Sequence, residues 1–282
     1  HIFFKYCFRY FLGFLIVLLA CVPIIVASRS ILERKVLESN QLRLQEGINE
    51  VDQNISKMLF IDNIISANTY FSRLVHTEGS LLPNEFLNLA YARDQLSEFG
   101  NLYTFSPYFF VLFQDNDCYV SSYQCSEFFA DKFYFRFLVV QDLNGTQMDA
   151  DTFRDQLFGA SSSYIRLGSI TYYKNGSPHT LEHPLLYLPG YFSGTSLQEQ
   201  GYRLAFVLDS DTIMRRLLTE DSINYGFIQI SDASGNVLLR YGEEVSLLDD
   251  ANSSSSQLLG EKGAYYLLSY QAEESGWNVV NG

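Results

Sequence analysis

The string His179-Thr-Leu-Glu-His183 has the H-x-x-E-H spacing of an inverted zinc-peptidase motif. That chemistry needs a helix, because two histidines four residues apart on a helix can converge on one zinc ion. Pro178 and Pro184 flank the string, and a residue before proline is driven away from helical conformation. On a strand the two rings lie about 13 Å apart, too far to share a metal. We therefore predict surface histidines on a strand, with no bound metal and no cofactor.

Other catalytic signatures are missing from the sequence. No glycine-rich phosphate loop of the Walker or dinucleotide type and no G-x-S-x-G nucleophile elbow occur. We therefore predict that the chain is not an enzyme.

The charge balance excludes a class of partner. The chain has 19 basic and 32 acidic residues and a net charge of −13. Lys5 and Arg9 precede the apolar run and no acid does, so the rest carries 17 bases and 32 acids, a net charge of −15. A region so acidic does not follow a phosphate backbone. We predict that no nucleic acid binds here.

Four cysteines are too few for a disulfide scaffold. Cys118 and Cys125 lie in the soluble part. If residues 118–123 form a strand, the two Cα atoms are about 20 Å apart, whereas a disulfide needs less than about 7 Å. A bend near Ser121-Ser122 would bring them together, so a disulfide stays open.

An uncharged apolar run covers residues 11–27 and approaches the length that crosses a bilayer. Lys5 and Arg9 before it favour a cytoplasmic N-terminus. We predict a single membrane anchor with the remainder of the chain outside the cell. Two alternatives are a cleaved signal peptide and a lipoprotein, since Leu18-Leu19-Ala20-Cys21 resembles a lipobox.

Residues 31–76 have a helical pattern with a heptad seam. Gly47 is its weak point, costing about 1 kcal/mol relative to alanine. The helix either packs along its own domain or also pairs with a second copy, and we predict a homodimer through this stalk. The seam positions are Leu37, Leu44, Val51, Met58 and Ile65, with Ile48 and Ile55 beside them.

Pro83 ends this helix, and residues 84–99 form the next one, with Phe86, Leu89, Ala90 and Leu96 on one face. Strands and short helices follow. The predicted strands are 108–114, 118–123, 164–173, 180–188, 202–208, 225–231, 236–241, 263–271 and 276–280, and the predicted short helices are 126–137, 149–158 and 213–218, with residues 253–256 as a loop. Turns at residues 115–117, 175–176 and 232–235 are predicted to join neighbouring strands into hairpins, and Asp209 is predicted to cap the last short helix.

Taken in order, the segments FFVLFQDNDCYVSS, YRLAFVLDSDTIMRRLL, FIQISDASGNVLL and YYLLSYQAEESGWNVV follow a membrane helix and a long stalk. Together they resemble the double-Cache ectodomains of Firmicute-type transmembrane sensors. The resemblance implies an α+β fold with two PAS-like modules built on antiparallel sheets. The divisions would be 1–28 for the cytoplasmic tip and membrane helix, 29–80 for the stalk, 81–220 for the membrane-distal module and 221–282 for the membrane-proximal module.

The resemblance also implies a role. Such a chain senses a small molecule in its distal module and continues past Gly282 into a second membrane helix and a cytoplasmic output. We favour an AraC-type transcriptional regulator, with a histidine kinase as the alternative and a lipid-anchored binding protein as a further one.

The Arg-x-x-Trp signature of amino-acid-binding members is missing, since Trp277 is the only tryptophan. The resemblance therefore carries over no ligand, although a sugar is the mild preference.

In a PAS-like cup the inner face of the sheet lines the pocket, with a few polar groups among aromatic side chains. Arg166 is the candidate of most interest, because a base on a strand of an acidic domain needs a partner. The alternative is that half of the candidates point outward and that Arg166 pairs with a surface acid. The candidate ligand contacts are Tyr119, Tyr123, Tyr164, Arg166, Tyr172 and Tyr187.

Overall fold

The structure, a computed structural model, describes residues 2–79, 81–99, 104–126, 129–189, 201–218, 227–242, 255–260, 263–272 and 275–281. The chain has an α+β fold with antiparallel sheets. It divides into two compact units, His1–Glu46 and Gly47–Gly282.

Helix α1 covers Ile2–Ser66 and ends before the predicted limit at residue 76. Asn68 begins a separate helix, α2 (Thr69–Val75), because its side-chain oxygen accepts a hydrogen bond from the Tyr70 N–H at 2.8 Å. Such a cap satisfies a backbone donor that the first turn of a helix leaves open. The predicted single helix is therefore two.

The N-terminal unit carries the apolar run. Within the part of the chain that the structure describes, one helix is long and apolar enough to cross a membrane. Its large apolar side chains are exposed on all sides, as Phe11, Leu19 and Val26 illustrate at 61%, 63% and 63% exposure. A helix that is apolar all round needs an apolar surrounding, which a bilayer supplies.

In the second unit, the heptad seam is buried. Val51, Ile55, Met58 and Ile65 are all at most 2% exposed. Their apolar surface is therefore used within this unit's own core, as in the first of the two sequence interpretations. A homodimer would therefore have to form through other positions of the stalk.

Gly47 is a contact point between two helices. A Cβ there would meet the Arg216 carbonyl oxygen at 3.0 Å and the Leu217 side chain at 3.1 Å. Both belong to a later helix, α5 (Ser210–Leu217). Because glycine lacks a side chain, α1 and α5 approach each other closely here.

Helix α3 (Pro83–Phe99) follows the proline as predicted. Its buried face differs from the predicted one, since Asn88, Leu89, Ala92 and Leu96 are buried. Phe86 is 45% exposed and does not belong to that face.

A six-stranded main sheet has the order β3-β2-β1-β9-β8-β5. The predicted hairpin of residues 108–123 forms its β1–β2 pair. The strands are β1 (Tyr108–Phe113), β2 (Tyr119–Ser121), β3 (Cys125–Ser126), β5 (Tyr164–Arg166), β8 (Leu185–Tyr187) and β9 (Tyr202–Leu208).

The predicted strands 164–173 and 180–188 are each divided in two. Their inner parts, β6 (Ser169–Lys174) and β7 (Ser177–Glu182), leave the main sheet and join β4 (Leu138–Gln141) in a three-stranded cover sheet. The break lies at Gly168, where a Cβ would stand 1.9 Å from the Asp142 carbonyl oxygen, and at His183, whose φ is 48°. The turn at Asn175-Gly176 is confirmed.

Two short helices flank these strands. The predicted helix at 126–137 is a single π-helical turn, Phe129–Phe133. The predicted helix at 149–158 is confirmed as α4 (Ala150–Phe158), capped by Asp149 through the Thr152 N–H at 2.7 Å. Asp209 caps α5 in the same way.

The C-terminal sheet has the order β11-β10-β14-β13-β12. The predicted hairpin around residues 232–235 is confirmed, whereas Ser255 and Ser256 belong to a strand and not to a loop. Residues 225–226 and 253–254 lie outside the described residues. The strands are β10 (Ile228–Ser231), β11 (Val237–Tyr241), β12 (Ser255–Gly260), β13 (Gly263–Gln271) and β14 (Asn278–Asn281).

Both large sheets share one strand order. In each sheet, the strand that comes first along the chain lies between the second strand and the last strand. The second-last strand lies beside the last one, and an earlier strand lies beyond it. Strands β10 to β14 give the order second-first-fifth-fourth-third, and β1, β2, β5, β8 and β9 give the same, with β3 added at one edge. The shared order agrees with two modules of one kind, and their boundary at residue 220 stays a prediction.

Met58 tests the buried seam, because it is 0% exposed. We expect Met58→Ala to lower the free energy of unfolding by about 2–5 kcal/mol through the cavity it leaves. The exposed neighbour Gln53→Ala should change it by less than about 0.5 kcal/mol. Urea unfolding of the chain in detergent micelles, followed by the fluorescence of Trp277, measures both. Equal effects of the two substitutions would contradict a buried seam.

Asp62 gives the fold a pH dependence. It lies on α1, is 8% exposed and accepts a hydrogen bond from the Tyr202 hydroxyl at 3.2 Å. Burial raises the pKa of Asp62, an effect that the Tyr202 hydrogen bond opposes. The folded chain therefore holds this proton more tightly than the unfolded chain does. The resulting stabilisation is complete below the usual pKa of 3.8 and is lost as pH rises through the raised value.

We expect Asp62→Asn, which keeps an acceptor oxygen for Tyr202, to be more stable than the wild type at neutral pH. The difference should shrink toward acidic pH, where Asp62 is protonated in both states. Unfolding measured over a pH series tests this, and a difference that does not change with pH would contradict it.

Candidate functional site

The inner face of the main sheet, where we predicted the pocket, is filled by aromatic side chains. Tyr108 and Phe110 on β1 and Tyr119 on β2 are at most 1% exposed. The cover sheet, the π-helix and α4 bury them through Leu138, Val140, Phe129 and Phe153, among others. This face forms the core of the module.

Tyr119 and Tyr172 are part of this core. The Tyr119 hydroxyl is hydrogen-bonded to that of Tyr108, whose ring stacks on Tyr172 at 4.4 Å. Burial raises the pKa of all three phenols, that of Tyr172 to about 12. These hydroxyls are therefore neutral, and all three side chains are buried.

Tyr123 lies at the edge of the same aromatic layer and is half-buried. Its ring stacks on Tyr108 at 6.1 Å, and its hydroxyl donates to the Pro107 carbonyl at 3.1 Å. The Lys174 ammonium sits 4.9 Å from the centre of the ring. Tyr123 thus connects the buried tyrosines to an open depression.

We call this depression the arginine recess. Its volume is about 410 Å³, at the lower end of the range for ligand pockets. Helix α3, strand β3, the turn before it and the segment after the π-helix surround it. The residues that line it are Arg93, Tyr123, Gln124, Cys125, Ser126, Phe133, Arg136 and Phe137.

The recess combines bases with aromatic rings. The Arg136 guanidinium is exposed and lies 5.1 Å from the centre of the Phe137 ring. Arg93 forms an exposed ion pair with Asp94 at 2.5 Å. Burial raises the pKa of the Cys125 thiol, and the charge of Arg93 opposes that shift.

The other predicted ligand contacts lie elsewhere. Tyr164 stacks on Tyr187 at 5.2 Å, and both are buried. The Tyr164 hydroxyl donates to the Ser275 carbonyl in the turn before β14 at 3.1 Å. Arg166 is exposed, and its guanidinium contacts the Val237 carbonyl oxygen at 3.4 Å, not a surface acid.

Tyr164 and Arg166 border a second depression of about 490 Å³, between α4, β5 and the β10–β11 hairpin. Asp155, Asp232 and Asn236 supply its polar groups. The six predicted contacts thus fall into two groups that do not meet.

Sequence reasoning missed Arg93 and Arg136. Arg136 belongs to the aromatic segment 126–137, and a base among aromatics in an acidic chain was the available signal. For Arg93 the sequence contains no comparable signal, because only the fold brings α3 beside β3.

The string from His179 to His183 is not helical. His179 is on strand β7 and both rings are exposed, as predicted. Among the described residues, no group of three or more His, Cys, Asp or Glu side chains could hold a metal ion.

No disulfide joins Cys118 to Cys125. The chain does bend between them, because the Ser121 N–H donates to the Gln124 carbonyl at 2.7 Å. Val120 pairs with Cys125 across β2 and β3, so the two cysteines are diagonal neighbours and not 20 Å apart along one strand. Diagonal positions are about 7–8 Å apart, beyond the usual span of a disulfide.

No protein-family model matches the sequence, and no curated protein matches it. Among solved structures, the chain is similar to the extracellular domains of two proteins described as histidine kinases. For rpHK1S-Z16 the identity is 10%, the coverage 86% of this chain and 91% of that one, and the TM-score 0.45. For vpHK1S-Z8 the values are 9%, 88%, 92% and 0.48.

A third similar structure is Methyl-accepting Chemotaxis protein X, at 10% identity and a TM-score of 0.41, with 89% of this chain and 98% of that one covered. Similarities of this size assign neither a family nor a ligand.

The two cysteines should differ in reactivity. Cys118 is 1% exposed, whereas Cys125 lines the recess. We expect a small alkylating reagent to modify Cys125 in the folded chain and to reach Cys118 only after unfolding. Peptide mass spectrometry after timed labelling measures both rates, and equal native rates would contradict this arrangement.

Proposed function

We propose that this chain is the extracytoplasmic sensing region of a transmembrane signal transducer. It binds a small molecule in the module formed by the main and cover sheets and transmits the event to helix α1. It is not itself an enzyme.

The observation that carries this proposal is a junction around Ser275. The Ser275 N–H donates to the Asp52 carboxylate on α1 at 2.7 Å, and its carbonyl accepts from Tyr164 on β5 at 3.1 Å. The backbone of this one residue thus contacts both α1 and the main sheet. A shift of β5 would therefore change the hydrogen bonds that hold α1.

Neighbouring contacts make the junction stiff. Trp277 is 1% exposed and its ring lies 5.8 Å from Tyr164. The Tyr270 hydroxyl donates to the Asn49 side chain on α1 at 2.9 Å. Packed elements tend to switch between discrete arrangements and not to deform continuously. A ligand that prefers one arrangement would shift the balance by its difference in affinity.

Helix α1 also supports a membrane location. Its apolar segment at residues 11–27 would cross the bilayer once, leaving residues 29–282 outside the cell. Helical residues N-terminal to Gly47 include exposed apolar side chains, among them Ile31 and Leu32 at 59% and 64% exposure. A homodimer through this part of the stalk would cover them.

For the output, we propose an AraC-type DNA-binding domain, with a histidine kinase as the alternative. The acidic surface of the present chain leaves DNA binding to another part of the protein. The coding sequence of the complete protein distinguishes the two outputs.

A thermal-shift screen of the chain in detergent with sugars, amino acids and organic acids tests the sensing function. A ligand at 100 times its dissociation constant should add about 2.7 kcal/mol to the stability. We further expect the stabilising compound to change the emission of Trp277, which reports on the junction. The absence of any stabilising compound would contradict a small-molecule sensor.

Tyr164→Phe tests the junction itself, because it removes the hydroxyl that holds Ser275 and keeps the ring. We expect it to reduce the Trp277 response while leaving the dissociation constant within about fivefold. The neutral hydrogen bond that it removes lies outside the recess and is worth about 1 kcal/mol, which corresponds to that factor. Tyr91→Phe, at an exposed position on α3, is the matched control. An unchanged Trp277 response in Tyr164→Phe would contradict transmission through Ser275.

A further inference from the structure

We infer that the arginine recess binds a small organic carboxylate whose body is a planar aromatic ring. The inference rests on the proposed sensing function and names the ligand class for it. The charges around the recess, its aromatic floor and its volume each support it.

The first support is unneutralised positive charge in an acidic chain. The ion pairs formed among the described residues involve neither Arg136 nor Lys174. Arg93 shares its charge with Asp94, whose side chain is 61% exposed. Because the chain has 32 acidic and only 19 basic residues, we would not expect basic side chains to cluster by chance. An anion would neutralise it.

The second support is the floor of the recess. Phe133 is 4% exposed and its ring lies 4.5 Å from that of Tyr119. Tyr123 and Phe137 continue this apolar surface on either side. Aromatic rings bind a planar aromatic partner by stacking or edge contacts, in addition to the area that is buried. The anion therefore has an aromatic body.

The third support is the geometry of the donors. Guanidinium groups present paired N–H donors that match the two oxygens of a carboxylate. An uncharged sugar, the class that the sequence mildly favoured, brings many hydroxyl donors. The charged groups in the lining, Arg93 and Arg136, are themselves donors only. A carboxylate accepts from both and neutralises their charge, whereas a sugar hydroxyl can accept a hydrogen bond but brings no charge.

A ligand bound in the recess would also affect side chains in the core. Phe133 contacts Tyr119, and the Tyr119 hydroxyl is bonded to Tyr108 on the central strand β1. A ligand pressed on Phe133 and Tyr123 would therefore contact both ends of the buried tyrosine cluster.

Cys125 provides a direct readout of binding. We would measure its alkylation rate in the chain in detergent, with benzoate as the probe. Benzyl alcohol supplies the ring without the charge, and inorganic phosphate supplies the charge without the ring. We expect benzoate to slow the alkylation of Cys125 in a saturable way and the other two to have little effect. Saturation gives the dissociation constant.

Two substitutions of exposed arginines make the test specific. Arg136→Gln should weaken the protection by benzoate about tenfold or more, as the loss of a charge-assisted hydrogen bond does. Arg215→Gln on α5, outside the recess, should leave it unchanged. Each variant is compared with itself without benzoate, which cancels effects on the reactivity of the thiol.

The other outcomes would overturn the inference. Equal protection by benzyl alcohol would show a site for neutral rings, and equal protection by phosphate would show a general anion site. No protection by any probe would exclude the recess as a site for this ligand class.

The sensing function is tested separately. If benzoate protects Cys125 but never changes the Trp277 emission, the site stands and the sensing function fails. If another compound changes that emission while Cys125 stays unprotected, the reverse holds.

Discussion

The buried face of α1 from Gly47 to Ile65 is the constraint on which the second unit depends. Val51, Ile55 and Met58 are removed from water there, and burying each such side chain is worth about 1.5–3 kcal/mol. Three other parts of the unit reach this helix segment. α5 approaches at Gly47, β9 bonds to Asp62 through Tyr202, and the turn before β14 bonds to Asp52.

This arrangement gives α1 two roles that are normally separate. Its seam lies in the core of the second unit, and its polar residues bond to both large sheets or to the turns beside them. Asn49 accepts a hydrogen bond from β13 and Asp52 accepts one from the turn before β14, while Asp62 accepts one from β9. A helix held in this way cannot shift without changing hydrogen bonds in both sheets. The coupling that we propose would therefore run through the same contacts that stabilise the fold.

The aromatic side chains are divided between the core and the proposed binding site. Tyr108, Tyr119 and Tyr172 form a closed cluster in which hydroxyls and ring faces contact each other. Tyr123 and Phe133 contact that cluster from the side of the recess, which is also lined by the basic side chains of Arg93 and Arg136. An apolar floor beneath charged donors is the usual composition of a small-molecule site. The proposed binding surface therefore begins where the core ends.

The sequence by itself determined the elements whose causes are local. The apolar run at residues 11–27, the break before Pro83, the cap at Asp209 and the turn at Asn175-Gly176 all depend on neighbouring residues, and each was predicted. The exclusion of a helical zinc motif at His179 and His183 had the same basis, since the flanking prolines act on the adjacent backbone.

Only the tertiary structure decided which side chains meet. The strands predicted at 164–173 and 180–188 are divided because Gly168 lies against the Asp142 carbonyl, a contact between segments far apart in the chain. That division sends Tyr172 into the core and leaves Tyr164 at the Ser275 junction. Arg93 reaches the recess only because α3 packs beside β3. Side-chain periodicity gives the face of an element, but the partner of that face depends on how distant segments pack.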